Sequence, residues 1–282
     1  MLTLCRWGKA DYEVGPLLGL PAEVELVDEP RAADVVVVPS TQRVTPSDVP
    51  RARLVITTTS GFDNLDVPSL RAAGVRCARL PLVRRDAVVQ TTLGMILSLT
   101  RRFGPFGEAA RAGQWDRKQL DRYDARLVGR VAVVGMGVIG TKMASVLGVL
   151  GAEVVEVRDG QAIPRDVDVL TLHASLTRTN HKLVDAALIA SLRPGCVVVN
   201  TARGKLLDVA AAYRAVVAGH LGGLGVDVFP EEPAALAGFT HPRVIVTPHA
   251  AGWHPGLSAG ISDGVAAAVR ALLAGEAIPW AV

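Results

Sequence analysis

The chain has 282 residues, of which half are apolar and 4% aromatic, and its formal net charge is +3. This length allows two ordinary domains or one large one, and the composition excludes a disordered chain. The basic residues are scattered rather than gathered with aromatic residues, so the sequence does not predict nucleic-acid binding.

The cysteines and the apolar runs bear on the compartment in which the protein works. Cys5, Cys77 and Cys196 lie far apart and form no CxxC pair, so neither a disulfide framework nor a thiolate zinc site is expected. We find no apolar run of the roughly 18 residues that a membrane span needs. The N-terminal segment lacks the charged leader and apolar stretch of a signal peptide. We therefore expect a cytoplasmic protein without a membrane partner.

The first third of the chain alternates short β-branched runs with turn signals, a pattern that indicates buried parallel strands. The strand candidates are residues 24–27, 34–40, 53–61 and 75–81. Between them, Asp66, Pro68 and Gly74 predict a helix with a cap, a first-turn proline and a stop. The apolar segment 87–103 predicts a packed helix.

The pattern restarts at residue 131 with an apolar strand, a glycine-containing turn and a helical run to Gly151. The later strand candidates are EVVEV, VDVLTLH, CVVVN, LGGLGVDV and RVIVT, and the helical stretch SAGISDGVAAAVRALLAG follows them. Seven or so strand candidates separated by helical runs predict a second, independent parallel sheet with helices on both faces.

The segment GMGVIG has the context of a dinucleotide-binding turn, because it follows the apolar strand VAVV and opens a helix. Gly135 allows the tight turn, Gly137 lets the backbone approach a pyrophosphate, and Gly140 lets helix and strand pack closely. The start of the helix attracts the phosphate charge. The sequence therefore predicts nucleotide binding rather than a merely structural glycine turn.

Four polar residues follow strands of the second sheet, where open parallel sheets bind ligands. They are Arg203 after CVVVN, Asp227 and Glu232 after LGGLGVDV, and His249 after RVIVT. Arginine, glutamate and histidine at one cleft make an acid/base set with an anion anchor. Taken singly, the arginine could be a solvated cation, the histidine a core residue and the glutamate part of an acidic turn. The other histidines show no metal-ligand spacing, so no metal site is predicted; they include His181, His220, His241 and His254.

At this point the sequence resembles the D-isomer-specific 2-hydroxyacid dehydrogenases over nearly its whole length. TTTSGFDNLDV resembles the family's substrate loop and GMGVIG its glycine turn. VDVLTLHASLTRTNHKLVDAALIASLRPGCVVVNTARGKLLD resembles its long signature, and GVDVFPEEP and TPHAAG resemble the segments that carry its glutamate and histidine.

The resemblance implies an α/β fold of two lobes, each a parallel sheet with flanking helices. A Rossmann-type dinucleotide-binding domain (85–253) would be inserted into a smaller flavodoxin-like substrate domain (1–84 and 254–282). It also implies a homodimer formed largely through the nucleotide domain. The implied reaction is hydride transfer between NAD(P) and a 2-keto or 2-hydroxy acid.

The resemblance also assigns roles to individual residues. The implied catalytic residues are Arg203, Glu232 and His249, and the implied substrate-binding groups are Arg203 and the backbone of Ser60 and Gly61. The implied cofactor-binding residues are Gly135, Gly137, Val138, Ile139, Gly140, Arg158, His173, Thr201, Ala202, Asp227 and His249.

The chain departs from the family pattern at three places. Gln90 stands for the usual linker-helix glutamate, Ser175 for the usual proline, and the stretch from Arg158 to Val167 is short enough to have lost a helix. The family's acidic ribose-reading position falls on Arg158, with Asp159 one residue later. Arginine there favours NADP over NAD, whereas a one-residue shift would restore the acid.

Other readings of the sequence stay open. The same fold serves dinucleotide-sensing binding proteins, and related enzymes oxidise phosphite or formate, although formate enzymes carry glutamine where Glu232 stands. The sequence does not name the 2-hydroxy acid. Arg6, Arg84 and Arg85 could read a second anionic group on the substrate, and the alternative is that they are solvated surface arginines.

Overall fold

The structure, a computed structural model, describes residues 1–8, 17–115 and 129–282. The chain divides into two compact units. The first comprises Met1–Arg85 and Trp253–Val282, and the second comprises Asp86–Gly252. The second unit thus interrupts the first along the sequence. The assignment of substrate and dinucleotide roles to these units remains a prediction.

The described residues form eleven named strands and seven α-helices. The strands are β1 (Leu2–Arg6), β2 (Val24–Leu26), β3 (Val35–Val38), β4 (Leu54–Thr57), β5 (Arg76–Arg79), β6 (Arg130–Val134), β7 (Glu153–Val157), β8 (Val169–Leu172), β9 (Val197–Asn200), β10 (Gly223–Val226) and β11 (Val244–Val246). The helices are α1 (Val67–Ala72), α2 (Arg85–Thr100), α3 (Phe103–Arg111), α4 (Val138–Val149), α5 (Ala186–Ser191), α6 (Val209–Val217) and α7 (Leu257–Ala274).

The first unit is built on a five-stranded parallel sheet in the order β2-β1-β3-β4-β5. This is the flavodoxin-like order 2-1-3-4-5. The central strands β3 and β4 are fully buried and consist mainly of valine, leucine and isoleucine, as strands covered on both faces require. Asp66 caps α1 by accepting the Ser69 N–H at 3.4 Å, which confirms the predicted cap.

Helix α7 packs its apolar face into the core of the first unit. Ile261, Val265 and Val269 are buried in one cluster with Leu4 and Val35 of the sheet. By length and composition α7 could cross a membrane, so the expectation that no segment is long and apolar enough is wrong for this helix. Half of the helix is nevertheless buried inside the folded chain, as in the core helix of a globular unit.

The second unit is built on a six-stranded parallel sheet in the order β11-β10-β9-β8-β6-β7. The prediction of seven or so strands was therefore slightly high. Strand order reverses at β6, so the edge beyond the carboxyl ends of β6 and β8 is the switch point where such sheets bind ligands. Residues 158–168 form a turn and coil without a helix, which confirms the expected loss.

Candidate active site

The glycine turn joins β6 to α4 with almost no space around two of its glycines. Gly135 has φ +95°, and a Cβ there would lie 2.4 Å from the Ala174 backbone. At Gly140 a Cβ would lie 1.9 Å from the Gly135 carbonyl oxygen. The close approach of helix and strand that the sequence predicted is therefore present.

Gly137 differs from the other two glycines of the turn because a Cβ there would meet no atom within 4 Å. It caps α4, and Val138 and Ile139 form the first helical turn. The space beside Gly137 therefore borders the helix N-terminus, where unsatisfied N–H groups and the helix dipole favour an anion.

A cleft of about 260 Å³ lies beside this turn, within the second unit. Gly135, Met136, Arg158, Asp159 and Ser175 are among its lining residues. The cleft is thus continuous with the glycine turn on one side and with the end of β7 on the other.

Arg158 lies at the mouth of this cleft and is largely exposed. Its guanidinium pairs with the Glu156 carboxylate at 2.9 Å, and its N–H donates to Gln161 Oε1 at 2.7 Å. The next residues, Asp159 and Gly160, form a turn in which Gly160 has φ +76°. Sequence reasoning missed the ion pair with Glu156, which lies two residues earlier, in β7.

His173 follows β8 and packs under the glycine turn. Its N–H donates to the Val134 carbonyl at 2.7 Å, and Nε2 lies 3.0 Å from the Thr171 hydroxyl. Burial lowers the pKa of His173 to about 4, so its imidazole is neutral near pH 7. The side chain therefore offers the site polarity without charge.

The turn after β9 holds Arg203 at the same edge of the sheet. The Asn200 side chain donates to the Arg203 carbonyl at 2.9 Å and accepts the Ala202 N–H at 3.0 Å. Thr201 is buried, and its hydroxyl lies 2.8 Å from the Thr92 hydroxyl on α2. Sequence reasoning did not single out Asn200 or Thr92, although an asparagine at a strand end is a familiar turn signal.

Asp227, at the end of β10, is 1% exposed and holds the turn that carries the histidine. Its Oδ1 accepts the Thr247 hydroxyl at 2.6 Å and the Ala250 N–H at 2.8 Å, and its Oδ2 accepts the Ala251 N–H at 3.1 Å. The His249 N–H donates to the Asp227 carbonyl at 2.8 Å. Both carboxylate oxygens are thus engaged by the turn, a structural role that the sequence did not reveal.

His249 and Glu232 form a hydrogen-bonded pair, with Nδ1 2.7 Å from Oε2. The other oxygen of Glu232 accepts the Phe229 N–H at 2.9 Å. His249 has φ +54°, a left-handed backbone that is uncommon outside glycine. The His249 side chain is 42% exposed, so the ring is accessible to a small molecule while Glu232 holds its Nδ1.

The charges around this pair set its protonation. The hydrogen bond that the Glu232 carboxylate accepts raises the pKa of His249 against the opposing effect of burial, and the charges of Glu232 and Asp227 add to the increase. Burial alone would raise the pKa of Glu232, but its hydrogen bonds to His249 and Phe229 lower it below the ordinary value. Arg203 acts electrostatically on both groups. The favoured state near neutral pH is an ionised glutamate beside a histidine that retains its proton more readily than usual.

In the first unit, Ser60 and Gly61 lie in the loop after β4. The Ser60 carbonyl accepts a hydrogen bond from Arg79 at 2.9 Å, and the Gly61 carbonyl accepts one from the Thr59 hydroxyl at 2.9 Å.

The interpretation of Arg84 as a solvated surface arginine is wrong. Arg84 is only 8% exposed, and its guanidinium lies 6.0 Å from the centroid of the Trp253 ring.

Across the three described ranges, no group of three or more histidine, cysteine, aspartate or glutamate side chains could hold a metal ion. The chain resembles known proteins over most of its length. The family model described as "D-isomer specific 2-hydroxyacid dehydrogenase, NAD binding domain" matches residues 93–251, more than half of the chain. The chain belongs to this family.

Two relatives show how similar this chain is to individual proteins. It is 30% identical to D-3-phosphoglycerate dehydrogenase of Mycobacterium leprae over 251 residues, which cover 83% of this chain and 47% of that protein. It is 27% identical to glyoxylate reductase of Aeropyrum pernix over 270 residues, which cover 86% of this chain and 80% of that protein. The chain spans about half the length of the first curated relatives that it matches.

Solved structures confirm the α/β fold. The crystal structure of NADPH-dependent glyoxylate/hydroxypyruvate reductase of Sinorhizobium meliloti, in complex with citrate, matches with a TM-score of 0.82 and 24% identity. The match covers 100% of this chain and 97% of that chain. Residues 93–251, which match the family's NAD binding domain, all lie within the second unit.

The hydrogen bond to Glu232 predicts a measurable effect on His249. An NMR titration of the histidine ring should give His249 a pKa above the ordinary value of 6.5, and Glu232→Gln should lower it because the anionic partner is lost. The control is Glu231→Gln, which removes the neighbouring exposed carboxylate and should leave the His249 pKa unchanged. Equal His249 pKa values in the wild type and Glu232→Gln would show that this bond does not control the proton.

Proposed function

We propose that the protein is an NAD(P)-dependent oxidoreductase that interconverts a 2-keto acid and a D-2-hydroxy acid. The observation that carries this proposal is the 2.7 Å contact between His249 and Glu232, which gives a proton donor of raised pKa at the ligand-binding edge of the sheet. Arg203 at the same edge supplies a cation for an anionic substrate. The family membership and the names of the relatives support the same chemistry.

The residues around the glycine turn fit a dinucleotide. Gly135 and Gly140 leave no room for a side chain, whereas the open space beside Gly137 suits a pyrophosphate against the N–H groups of Val138 and Ile139. We assign the adenosine to the adjoining cleft beside Arg158. When bound, NAD(P)H supplies the hydride that the reduction of C2 requires.

His249 is proposed to supply the proton in the reduction. Since Nδ1 is held by Glu232, Nε2 is the atom that remains to donate to the substrate oxygen as negative charge develops there. Glu232 then stabilises the imidazolium before transfer and fixes the ring orientation. In the oxidation the same Nε2, now neutral, accepts the hydroxyl proton.

Arg203 is proposed to bind the substrate carboxylate and the C2 oxygen. A guanidinium presents several N–H donors in a plane, so it can bond a carboxylate and still stabilise charge on a neighbouring oxygen. The Asn200 and Ala202 contacts hold the backbone from which this side chain extends. We further propose that the backbone N–H groups of Ser60 and Gly61 bind the carboxylate.

Some of the residues predicted to contact the cofactor already use their polar side-chain groups within the protein. The Thr201 hydroxyl and the Asp227 carboxylate are already engaged by Thr92 and by the histidine turn. We therefore propose that Thr201 and Ala202 contribute backbone and surface contacts, and that Asp227 acts through the position and charge of His249.

We also propose that the protein is a homodimer in the cytoplasm. Its three free, buried cysteines suit that compartment, because a reducing compartment keeps thiols reduced.

The proposed roles predict a specific pattern of losses in mutants. His249→Ala and Arg203→Ala should each lower kcat/KM for keto-acid reduction by at least about 10²-fold, the scale of losing a general acid or a charge-stabilising donor. The affinity for NAD(P)H, measured by fluorescence titration, should stay nearly unchanged. Near-wild-type turnover in either variant would remove that residue from the mechanism.

We propose that the cofactor is preferentially NADP(H). Arg158 lines the cleft with a largely exposed guanidinium, and its pairing with Glu156 keeps that guanidinium at the end of β7. A 2′-phosphate would compete with Glu156 for the same cation, while Asp159 lies in the following turn. The alternative is that Asp159 reads an unphosphorylated ribose.

The comparison of NADPH with NADH tests this preference. The wild type should show the higher kcat/KM with NADPH, and Arg158→Ala should reduce that preference by about tenfold because a charge-assisted contact is lost. Glu156→Gln should increase the preference by freeing the guanidinium. A clear NADH preference that Arg158→Ala leaves unchanged would assign ribose recognition to Asp159 instead.

A further inference from the structure

Three successive carbonyl groups in the first unit are each held by a hydrogen-bond donor. They belong to the segment 59–62, which we call the carboxylate loop. The Thr59 carbonyl accepts the Leu80 N–H at 3.2 Å, the Ser60 carbonyl accepts an Arg79 guanidinium N–H at 2.9 Å, and the Gly61 carbonyl accepts the Thr59 hydroxyl at 2.9 Å. The orientation of three consecutive peptide planes is therefore fixed from the protein side.

The N–H groups of the same three peptides point away from these donors. In a planar trans peptide the N–H is directed opposite to the carbonyl, so fixing one fixes the other. The N–H groups of Ser60, Gly61 and Phe62 donate to no acceptor within the part of the chain that the structure describes. Successive backbone N–H groups without an internal acceptor are the kind of donors that bind an anion.

Arg79 has a particular place in this arrangement because it is the only charged side chain among the three donors. It is the last residue of β5, next to β4 in the sheet, so its guanidinium reaches the loop that follows β4. The guanidinium carbon also lies 5.6 Å from the centroid of the Phe62 ring. One side chain therefore contacts two residues of the carboxylate loop.

We propose that Arg79 is a positioning residue for the substrate's carboxylate, an inference that rests on the proposed function. By holding the Ser60 carbonyl it directs the Gly61 N–H toward the carboxylate, and Thr59 does the same for the Phe62 N–H through the Gly61 carbonyl. Arg79 acts through the peptide and makes no direct contact with the substrate.

A cation suits this task better than a neutral donor for two reasons. A hydrogen bond from a charged donor polarises the peptide and strengthens its N–H as a donor on the other side. The positive charge also favours an anion over a neutral ligand of the same shape. Arg79 is thus expected to affect the affinity for the carboxylate more than the rate of the chemical step.

The experiment measures how tightly oxamate binds to protein saturated with NADH or NADPH. Oxamate has the carboxylate of a 2-keto acid, but an amide replaces its ketone, so it does not accept the hydride. Arg79→Met should weaken oxamate binding, followed by calorimetry, by about tenfold, the scale of one oriented charge-assisted contact. Arg79→Lys should recover most of the affinity. Arg76→Met removes an exposed arginine from the opposite end of β5 and should bind oxamate like the wild type.

Steady-state kinetics separate positioning from a merely structural role. For the best keto acid, Arg79→Met should raise KM about tenfold and change kcat less than about twofold. A parallel fall in kcat, in dinucleotide affinity and in thermal stability would overturn the inference, and so would unchanged oxamate binding. If Arg79→Met does not fold, Thr59→Val provides the test, because it removes the hydroxyl that holds the Gly61 carbonyl and should weaken oxamate binding about threefold.

The outcomes distinguish this inference from the proposed function. A wild type that reduces keto acids, together with Arg79→Met that binds oxamate normally, would refute the role of Arg79 and leave the function standing. A wild type that reduces no keto acid but binds oxamate in an Arg79-dependent way would refute the function and leave the carboxylate loop standing. A wild type that does not bind oxamate would overturn the inference.

Discussion

The arrangement of the sheet edge that carries His249 depends on one buried carboxylate, that of Asp227. Burying a carboxylate is costly unless hydrogen bonds replace its water, and all three side-chain hydrogen bonds described here come from the turn after β11. That turn carries His249 with a left-handed backbone, and the Asp227 charge also raises the pKa of His249. One residue therefore holds the position of the proposed proton donor and adds to the rise in its pKa, of which the hydrogen bond to Glu232 is the largest cause.

Supporting hydrogen bonds of the same kind hold the other groups to which we assign a role. Asn200 holds the turn of Arg203, the Phe229 N–H holds Glu232, and Arg79 holds the Ser60 peptide. In each case a supporting group limits the motion of a residue to which we assign a role in the reaction or in substrate binding. Such pre-organisation matters in catalysis because charge that develops in the transition state is stabilised without further rearrangement.

Much of this architecture follows from the sequence, because buried parallel strands consist of β-branched residues and strand ends carry the polar side chains. The glycine turn, the lost helix after β7 and the strand-end positions of Arg203 and His249 were predictable on these grounds. Strand β1 and helix α3 were not predicted, since short elements have too few residues for a clear period.

The supporting contacts were less predictable because they join residues distant along the chain. In the sequence Asp227 is one more acid that follows a strand, and only the fold brings it to the Thr247 turn. The bond from Arg79 to Ser60 crosses from one strand end to the next.

The pH dependence of kcat in both directions tests whether His249 is the group that gives and takes the proton. Reduction should decline as pH rises through the raised pKa of His249, because the proton donor is lost, and oxidation should increase through that same pKa, because the neutral ring becomes available. Rates that show no such opposite dependence on one shared pKa would rule out His249 as the proton donor and acceptor.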